Sequence, residues 1–151
     1  MAAPPDHFDR NVSVIILNYN HADTTLECLD ALELARSPLI REIIVVDNGS
    51  IPEDVAILRA RRRRSDFVLV EVGINRFFSE GNNIGAGFAH GDYIVFLNND
   101  AFVEPGWIEA LADCMRADPT VAAVGPMFLY PDGRIQEVGS VALPTGDIVQ
   151  V

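Results

Sequence analysis

The sequence predicts an α/β domain built on a mainly parallel sheet, and three observations carry that expectation. Short runs of apolar, β-branched residues alternate with amphipathic stretches of helical length. The runs are apolar at nearly every position, as strands covered on both faces are, instead of alternating as half-exposed strands do. Each is followed within a few residues by asparagine or aspartate, on the edge where ligands of parallel sheets bind.

The elements follow in order. "VSVIIL" (12–17) is a central strand closed by Asn18, Tyr19 and Asn20. Thr24 and Glu27 form a capping-box pattern for a helix whose Leu26, Leu29, Leu32 and Ala35 share a face, and Ser37-Pro38 stops it. "EIIVVD" (42–47) is the second strand, Asn48-Gly49-Ser50 turns, and Ser50 with Glu53 offers a second capping box with Pro52 in the first turn. That helix runs into Arg59–Arg64, a solvated, dipole-favourable helix end. "FVLVEV" (67–72) is a third strand, and residues 73–91 are a glycine- and asparagine-rich segment ending in a short helix. "YIVFLN" (93–98) is a fourth strand, 104–117 a helix, 121–130 a strand broken at Pro126, and "PDG" a turn. No repeat, low-complexity segment or linker interrupts the chain, so residues 12–151 read as one domain behind a flexible N-terminus, 1–11.

Composition narrows the chemistry. The 151 residues are 49% hydrophobic and 22% charged, ordinary for one globular domain with a core. A net charge of -11 argues against nucleic acid or an anionic membrane surface as the main partner, so an anionic small molecule needs a local cation. All eleven basic residues are arginine, which excludes Schiff-base and P-loop lysine chemistry from this chain. Cys28 and Cys114 sit among apolar neighbours in helical stretches and read as buried free thiols. The N-terminus lacks the basic start and apolar run of a signal peptide, and 12–17 is too short to span a bilayer, which points to the cytoplasm.

Four polar strand ends converge on one edge: Asn18, Tyr19 and Asn20; Asp47 to Ser50; Asn75 and Arg76; and Asn98, Asn99 and Asp100. Singly, each has a structural alternative. Ser50 reads more readily as a helix cap, Asp47 equally as turn or ligand residue, and Asn98–Asp100 as an Asx-rich turn. Tyr19 belongs to the core or stacks on a flat ring. Asp100 suits a hard divalent cation, Mg²⁺ or Mn²⁺, which takes one or two carboxylates and completes its shell with phosphates and water. Arg76 is a candidate diphosphate clamp or a solvated loop residue. His7 lies in the N-terminal stretch, His21 follows the first polar cluster, His90 closes a helix, and none forms a nucleophile arrangement. "GNNIGAG" (81–87) departs from the dinucleotide fingerprint, and its glycines allow close approach to a ligand or a strand.

In this order, "VSVIILNYN", "EIIVVDNGS", "GNNIGAG" and "GDYIVFLNNDAFVEPGWIEAL" resemble the nucleotide-sugar-binding half of family-two glycosyltransferases, in the rhamnosyltransferase-like branch. The resemblance covers nearly all of the chain from Val12. It implies a three-layer, Rossmann-like GT-A fold, cut short at the C-terminus, and metal-dependent, inverting transfer of a sugar from a UDP- or TDP-type donor to a glycan or lipid-linked acceptor in cell-surface polysaccharide or glycoconjugate synthesis. It places Asp100 on the metal and diphosphate, Asn98 and Asn99 in the donor pocket, Asp47 at the base or ribose, Tyr19 and Asn20 along the nucleotide, and Asn75 and Asn83 near the donor. Two departures stand out. Phe77 occupies a place where relatives often carry glycine, in an "NxGF" stretch, and no residue here, Glu137 and Asp147 included, matches the family's downstream acidic motif. The catalytic base is therefore expected beyond Val151. A homodimer and a site at the inner face of the membrane are compatible with that picture. The competing expectation is a non-catalytic nucleotide-sugar-binding or interaction domain of the same fold; a nucleotidyltransferase ranks last, lacking its basic glycine-rich loop and lysine.

Overall fold

The computed structural model describes residues 12–142, 144–145 and 148–150; the N-terminal stretch 1–11, with His7, and Asp147 lie outside them. Two compact units divide the chain, one ending at Gly106 and the other starting at Trp107.

The first unit carries β1 (Val12–Asn18), α1 (Ala22–Leu34), β2 (Ile40–Asp47), α2 (Pro52–Arg62), β3 (Val68–Glu71), α3 (Phe77–Ala86) and β4 (Tyr93–Asn98). Its sheet has the order β3-β2-β1-β4, all parallel. The expected parallel α/β architecture is present, and its centre is where the apolar runs are longest: Val14, Ile15, Ile16, Ile44, Val45 and Val46 are fully buried. Side chains alternate between the faces of a strand. Ile15, Ile44 and Val46 pack with Leu17, Val70, Val72, Ala86 and Ala89 on one face. On the other, α1 packs against β1 and α2. Helices thus cover both faces, giving three layers.

Glycine explains how α3 lies on its face. A Cβ at Gly85 would stand 2.6 Å from Ile15 Cγ2 and 2.8 Å from Val46 Cγ2, and one at Gly81 2.6 Å from Leu17 Cδ1. "GNNIGAG" therefore brings a helix onto a sheet, the second of the two expected uses. The helix also begins earlier than the glycine content implies, at Phe77.

Several local expectations are corrected. Helix α1 starts at Ala22 with His21 as its N-cap and no side-chain cap, so Thr24 and Glu27 form no capping box. The Ala22 N–H is instead met from another element, donating to Asp54 Oδ1 at 3.0 Å. Likewise α2 has Ile51 as N-cap with Pro52 behind it, and Ser50 caps nothing. Its hydroxyl accepts from the Asn20 N–H (2.9 Å) and Asn18 Nδ2 (3.1 Å). Strand β4 is not covered on both faces: it is an edge, with Ile94 and Phe96 exposed. His90 lies past the end of α3 and closes no helix; its N–H donates to Glu42 Oε1 at 2.7 Å. The arginine run is less free than expected, since Arg59 pairs with Glu71 and Arg61 with Asp30 and Glu33. Cys28 is buried, but Cys114 is exposed.

The second unit contains α4 (Trp107–Ala117) and short strands β5 (Phe128–Leu129), β6 (Ile135–Glu137), β7 (Ser140–Ala142) and β8 (Ile148–Gln150). The strand expected over 121–130 shrinks to β5, paired antiparallel with β6. The "PDG" turn forms between them: Gly133, at φ +81°, donates its N–H to Tyr130 O at 2.8 Å. None of the described helices is long and apolar enough to cross a membrane.

Candidate functional site

Chain order fixes where a ligand crevice opens. Successive strands step outward from β1 to β2 to β3, and the chain then crosses back to place β4 on the other side of β1. Crossovers leave in opposite directions at that point, and the space beyond the carboxyl ends of β1 and β4 stays open. A cavity of ≈ 240 Å³ lies there, lined by Leu17, Phe78, Asn82, Phe96, Leu97, Asn98, Asn99 and Asp100.

Asn98 to Ala101 form a tight turn, the Ala101 N–H donating to Asn98 O at 3.1 Å. Beneath it the Cys28 thiol faces the same carbonyl at 3.8 Å. Burial pushes that thiol up to about 12, and the negative charge of Asp100 adds to the effect. The Asp100 carboxylate itself is exposed, and none of the ion pairs among the described residues engages it. An unpaired carboxylate beside two amides is a donor set that fits a hard cation completing its shell with phosphate and water. Among the described residues no group of three or more His, Cys, Asp or Glu is assembled as a metal cage, so a metal here would be of that open type.

Behind the turn lies a buried polar network. Asn18 and Asp47 are neighbours in the β1–β2 register and almost wholly buried. Asn18 Nδ2 lies 3.1 Å from Asp47 Oδ1, 3.1 Å from Ser50 Oγ and 3.0 Å from Asp54 Oδ2. Thr25 Oγ1 donates to Asn18 Oδ1 at 2.9 Å and accepts from Asn99 Nδ2 at 3.2 Å. A second bridge reaches the β3 side. Asn48 is buried, donates through Nδ2 to Asn75 Oδ1 and Phe77 O (both 3.1 Å), and accepts from the Arg76 N–H at 3.0 Å. These bonds hold Phe77 at φ +57° with its ring 80% exposed.

The residues expected to bind the donor thus separate into groups. Asn98, Asn99 and Asp100 line the cavity. Asn18 and Asp47 lie beneath the surface as network members. Tyr19, Asn20, Asn75 and Arg76 are exposed on the same edge, with Asn20 Oδ1 accepting the Ile51 N–H at 2.9 Å and Arg76 paired to Glu80 at 3.4 Å. Asn83 sits on the exposed side of α3, while its neighbour Asn82 lines the cavity. Sequence reasoning missed Thr25 and Asp54, and counted Asn48 among the converging strand ends without giving it a role. Thr25 and Asp54 were masked by the helix-start patterns around them, and Asn48 by its reading as an ordinary turn residue.

The model of the family described as glycosyl transferase family 2 matches residues 13–140. The O-antigen biosynthesis protein RfbC of Myxococcus xanthus is 32% identical over 139 residues, covering 89% of this chain and 11% of RfbC. An undecaprenyl-phosphate 4-deoxy-4-formamido-L-arabinose transferase of Klebsiella pneumoniae is 32% identical over 120 residues, 77% of this chain and 36% of that protein. Among solved structures, a mannosyltransferase, PcManGT, from Pyrobaculum calidifontis in complex with GDP-Man and Mn²⁺ superposes with a TM-score of 0.73 at 27% identity, over 87% of this chain and 39% of the other. This chain spans well under half the length of each. The parallel sheet, the crossover crevice and the match across nearly the whole chain agree with the resemblance carried by its motifs: the chain belongs to glycosyl transferase family 2 and has the GT-A fold.

Proposed function

We propose that this chain is the donor-binding part of an enzyme that moves a sugar from a nucleoside-diphosphate sugar to a hydroxyl of a glycan or lipid-linked acceptor. The observation that carries this reading is the unpaired Asp100 carboxylate at the rim of a cavity in the crossover crevice. The bound GDP-Man and Mn²⁺ of the Pyrobaculum relative support the donor class, and the undecaprenyl phosphate in the name of the Klebsiella relative supports a lipid-borne acceptor, without bearing on the hydroxyl.

The chain's own residues then have distinct tasks. Tyr19 and Asn20 offer an aromatic face and an amide along the exposed end of β1, where base and ribose lie. Asp47 backs that region from below through Asn18. Arg76, held by Glu80, brings positive charge to an edge otherwise acidic. Asp100, flanked by the amides of Asn98 and Asn99, would hold a divalent cation, which would supply the charge that lets an anionic diphosphate approach and depart. The acceptor hydroxyl attacks the anomeric carbon opposite the diphosphate, the glycosidic carbon–oxygen bond to phosphate breaks, and configuration inverts. A carboxylate accepts the hydroxyl proton, a task assigned to no described residue.

The test is thermal unfolding of the folded chain with UDP, TDP or GDP, with and without Mn²⁺, beside Asp100→Ala. A ligand at a hundred times its Kd stabilises by about 2.7 kcal/mol, which is readily measured. The expected result is a Mn²⁺-dependent rise for one nucleotide that Asp100→Ala abolishes. No rise with any nucleotide, or one that Asp100→Ala leaves intact, contradicts the proposal.

A further inference from the structure

We infer that Thr25 is a positioning residue that sets the polarity of the Asn99 amide, so that its oxygen is the atom presented beside Asp100. This rests on the donor-site reading above and deepens it.

Asp47 accepts the Ser50 N–H through Oδ2 at 3.2 Å and turns its other oxygen, Oδ1, to Asn18. Facing it, Asn18 must present its NH₂ group, as the contacts to Asp47, Ser50 and Asp54 show. The Asn18 oxygen is thereby turned toward Thr25. A threonine hydroxyl has one proton, and the nearer of its two acceptors is Asn18 Oδ1 at 2.9 Å, against 3.2 Å for the His21 carbonyl. With that proton committed, Thr25 meets Asn99 only as an acceptor, and Asn99 must offer Nδ2 at 3.2 Å. An amide whose nitrogen is fixed has its oxygen fixed also. Asn99 lines the cavity next to Asp100, so the bonds that start at Asp47 dictate, through Asn18 and Thr25, that an oxygen and not an NH₂ is left for the ligand side.

The distinction matters because an amide oxygen is a ligand for a hard cation and an NH₂ group repels one. Amide orientation is invisible in an isolated Asn99 and is specified here by the network. Thr25 and Asn18 are both fully buried, so water does not compete for the bond between them, while the bond from Asn99 to Thr25 lies at the half-buried cavity side. The path also joins the β1–β2 end of the edge, where the nucleotide is placed, to the β4 end, where the cation is placed.

The experiment is a calorimetric Mn²⁺ titration of the whole chain saturated with its nucleotide, across Thr25→Val, Thr25→Ser, Asn99→Ala and Asp100→Ala, with side-chain amide NMR on the ligand-free proteins. Thr25→Val keeps the shape and removes the hydroxyl; Thr25→Ser keeps the hydroxyl. The expected result is Mn²⁺ affinity lowered about tenfold in Thr25→Val, equivalent to about 1.4 kcal/mol, lowered alike in Asn99→Ala, and within about twofold of the parent in Thr25→Ser. The Asn99 side-chain NH₂ signals should shift and lose protection from exchange in Thr25→Val but not in Thr25→Ser. Asn99→Ala changes an accessible side chain and keeps the test decisive if Thr25→Val does not fold. Unchanged Mn²⁺ affinity in Asn99→Ala, equal losses in the two Thr25 variants, or Asn99 NH₂ signals indifferent to Thr25→Val overturn the inference while leaving the donor site standing. Failure of Asp100→Ala to lower Mn²⁺ affinity overturns the donor-site reading, and the positioning role with it.

Discussion

Phe77 sits in a backbone conformation that suits glycine. At φ +57° an L-residue is disfavoured by about 1–2 kcal/mol, and the ring, 80% exposed, recovers little of that by burial. Phe77→Gly should raise stability by about 1 kcal/mol in urea unfolding; a loss of stability would show that the ring is held by contacts of its own. The departure from glycine was visible in the sequence, but its cause, the Asn48 bonds that bend the chain there, was not. Gly49 is the converse case. Its φ is +81°, and a Cβ would stand 2.4 Å from the Ile74 carbonyl carbon, so Gly49→Ala should cost at least about 2 kcal/mol. Cys28 has its thiol pushed up to about 12, first by burial and then by Asp100. A raised thiol keeps the neutral form favoured in the folded state, so this contribution is complete below the unfolded value near 9 and is lost as pH climbs from there toward 12. At pH 8 an alkylating reagent should modify exposed Cys114 at least about tenfold faster than Cys28, with the difference vanishing in denaturant. Equal rates in the folded chain would contradict the burial described.

At the scale of elements, the strands of the parallel sheet were legible, whereas helix starts and the short strands of the second unit were not. A parallel strand buried on both faces writes its burial into consecutive residues, which is why 12–17 and 42–47 fall within β1 and β2. Helix starts were read from local capping patterns, and bonds from other elements displaced both: a distant carboxylate meets the first free N–H of α1, which starts ahead of Thr24, and the Ser50 hydroxyl is turned to β1 and the residues after it. Asp54 meets the Ala22 N–H, and Ser50 meets Asn18 and Asn20. Spacing along a chain carries no trace of bonds to residues thirty positions away. The packing of α3 is legible only in retrospect, since glycines serve ligands and neighbouring helices or strands alike. Gly85→Ala would press a methyl against Ile15 and Val46 and should cost about 1–3 kcal/mol. At the opposite edge of the sheet, Ser13 Oγ donates to Glu42 Oε1 at 2.7 Å and accepts from the Gly91 N–H at 2.9 Å, and the His90 N–H also reaches Glu42. Burial raises the Glu42 carboxyl, but the bonds from Ser13 and His90 outweigh it, and the net shift is downward. A depressed carboxyl contributes stability above its unfolded value of about 4.3, lost as pH falls through the folded one. Glu42→Gln should therefore be less stable than the parent at pH 7, with the gap closing below about pH 4 in urea unfolding. A gap constant with pH would show that the bonds matter but the charge does not.

At the scale of the whole molecule, topology locates the site and chemistry fills it. The order β3-β2-β1-β4 puts the reversal of direction between β1 and β4, and the cavity opens there. The convergence of polar strand ends was legible because parallel strands share an edge. The division of that edge into a surface layer and a buried layer was not, because Asn18 and Asn98 look alike in sequence and only burial separates them. Net charge bears on the same point: a chain at -11 binds an anionic donor only where a cation offsets its field. The most direct measurement of that claim is paramagnetic broadening of backbone amide NMR signals by Mn²⁺ in the presence of the nucleotide that stabilises the chain. Broadening is expected to centre on 98–101 and reach 18–20 and 75–76, with Ser13, Glu42 and His90 at the far edge left sharp. Broadening centred elsewhere, or spread evenly over exposed carboxylates, would contradict that claim.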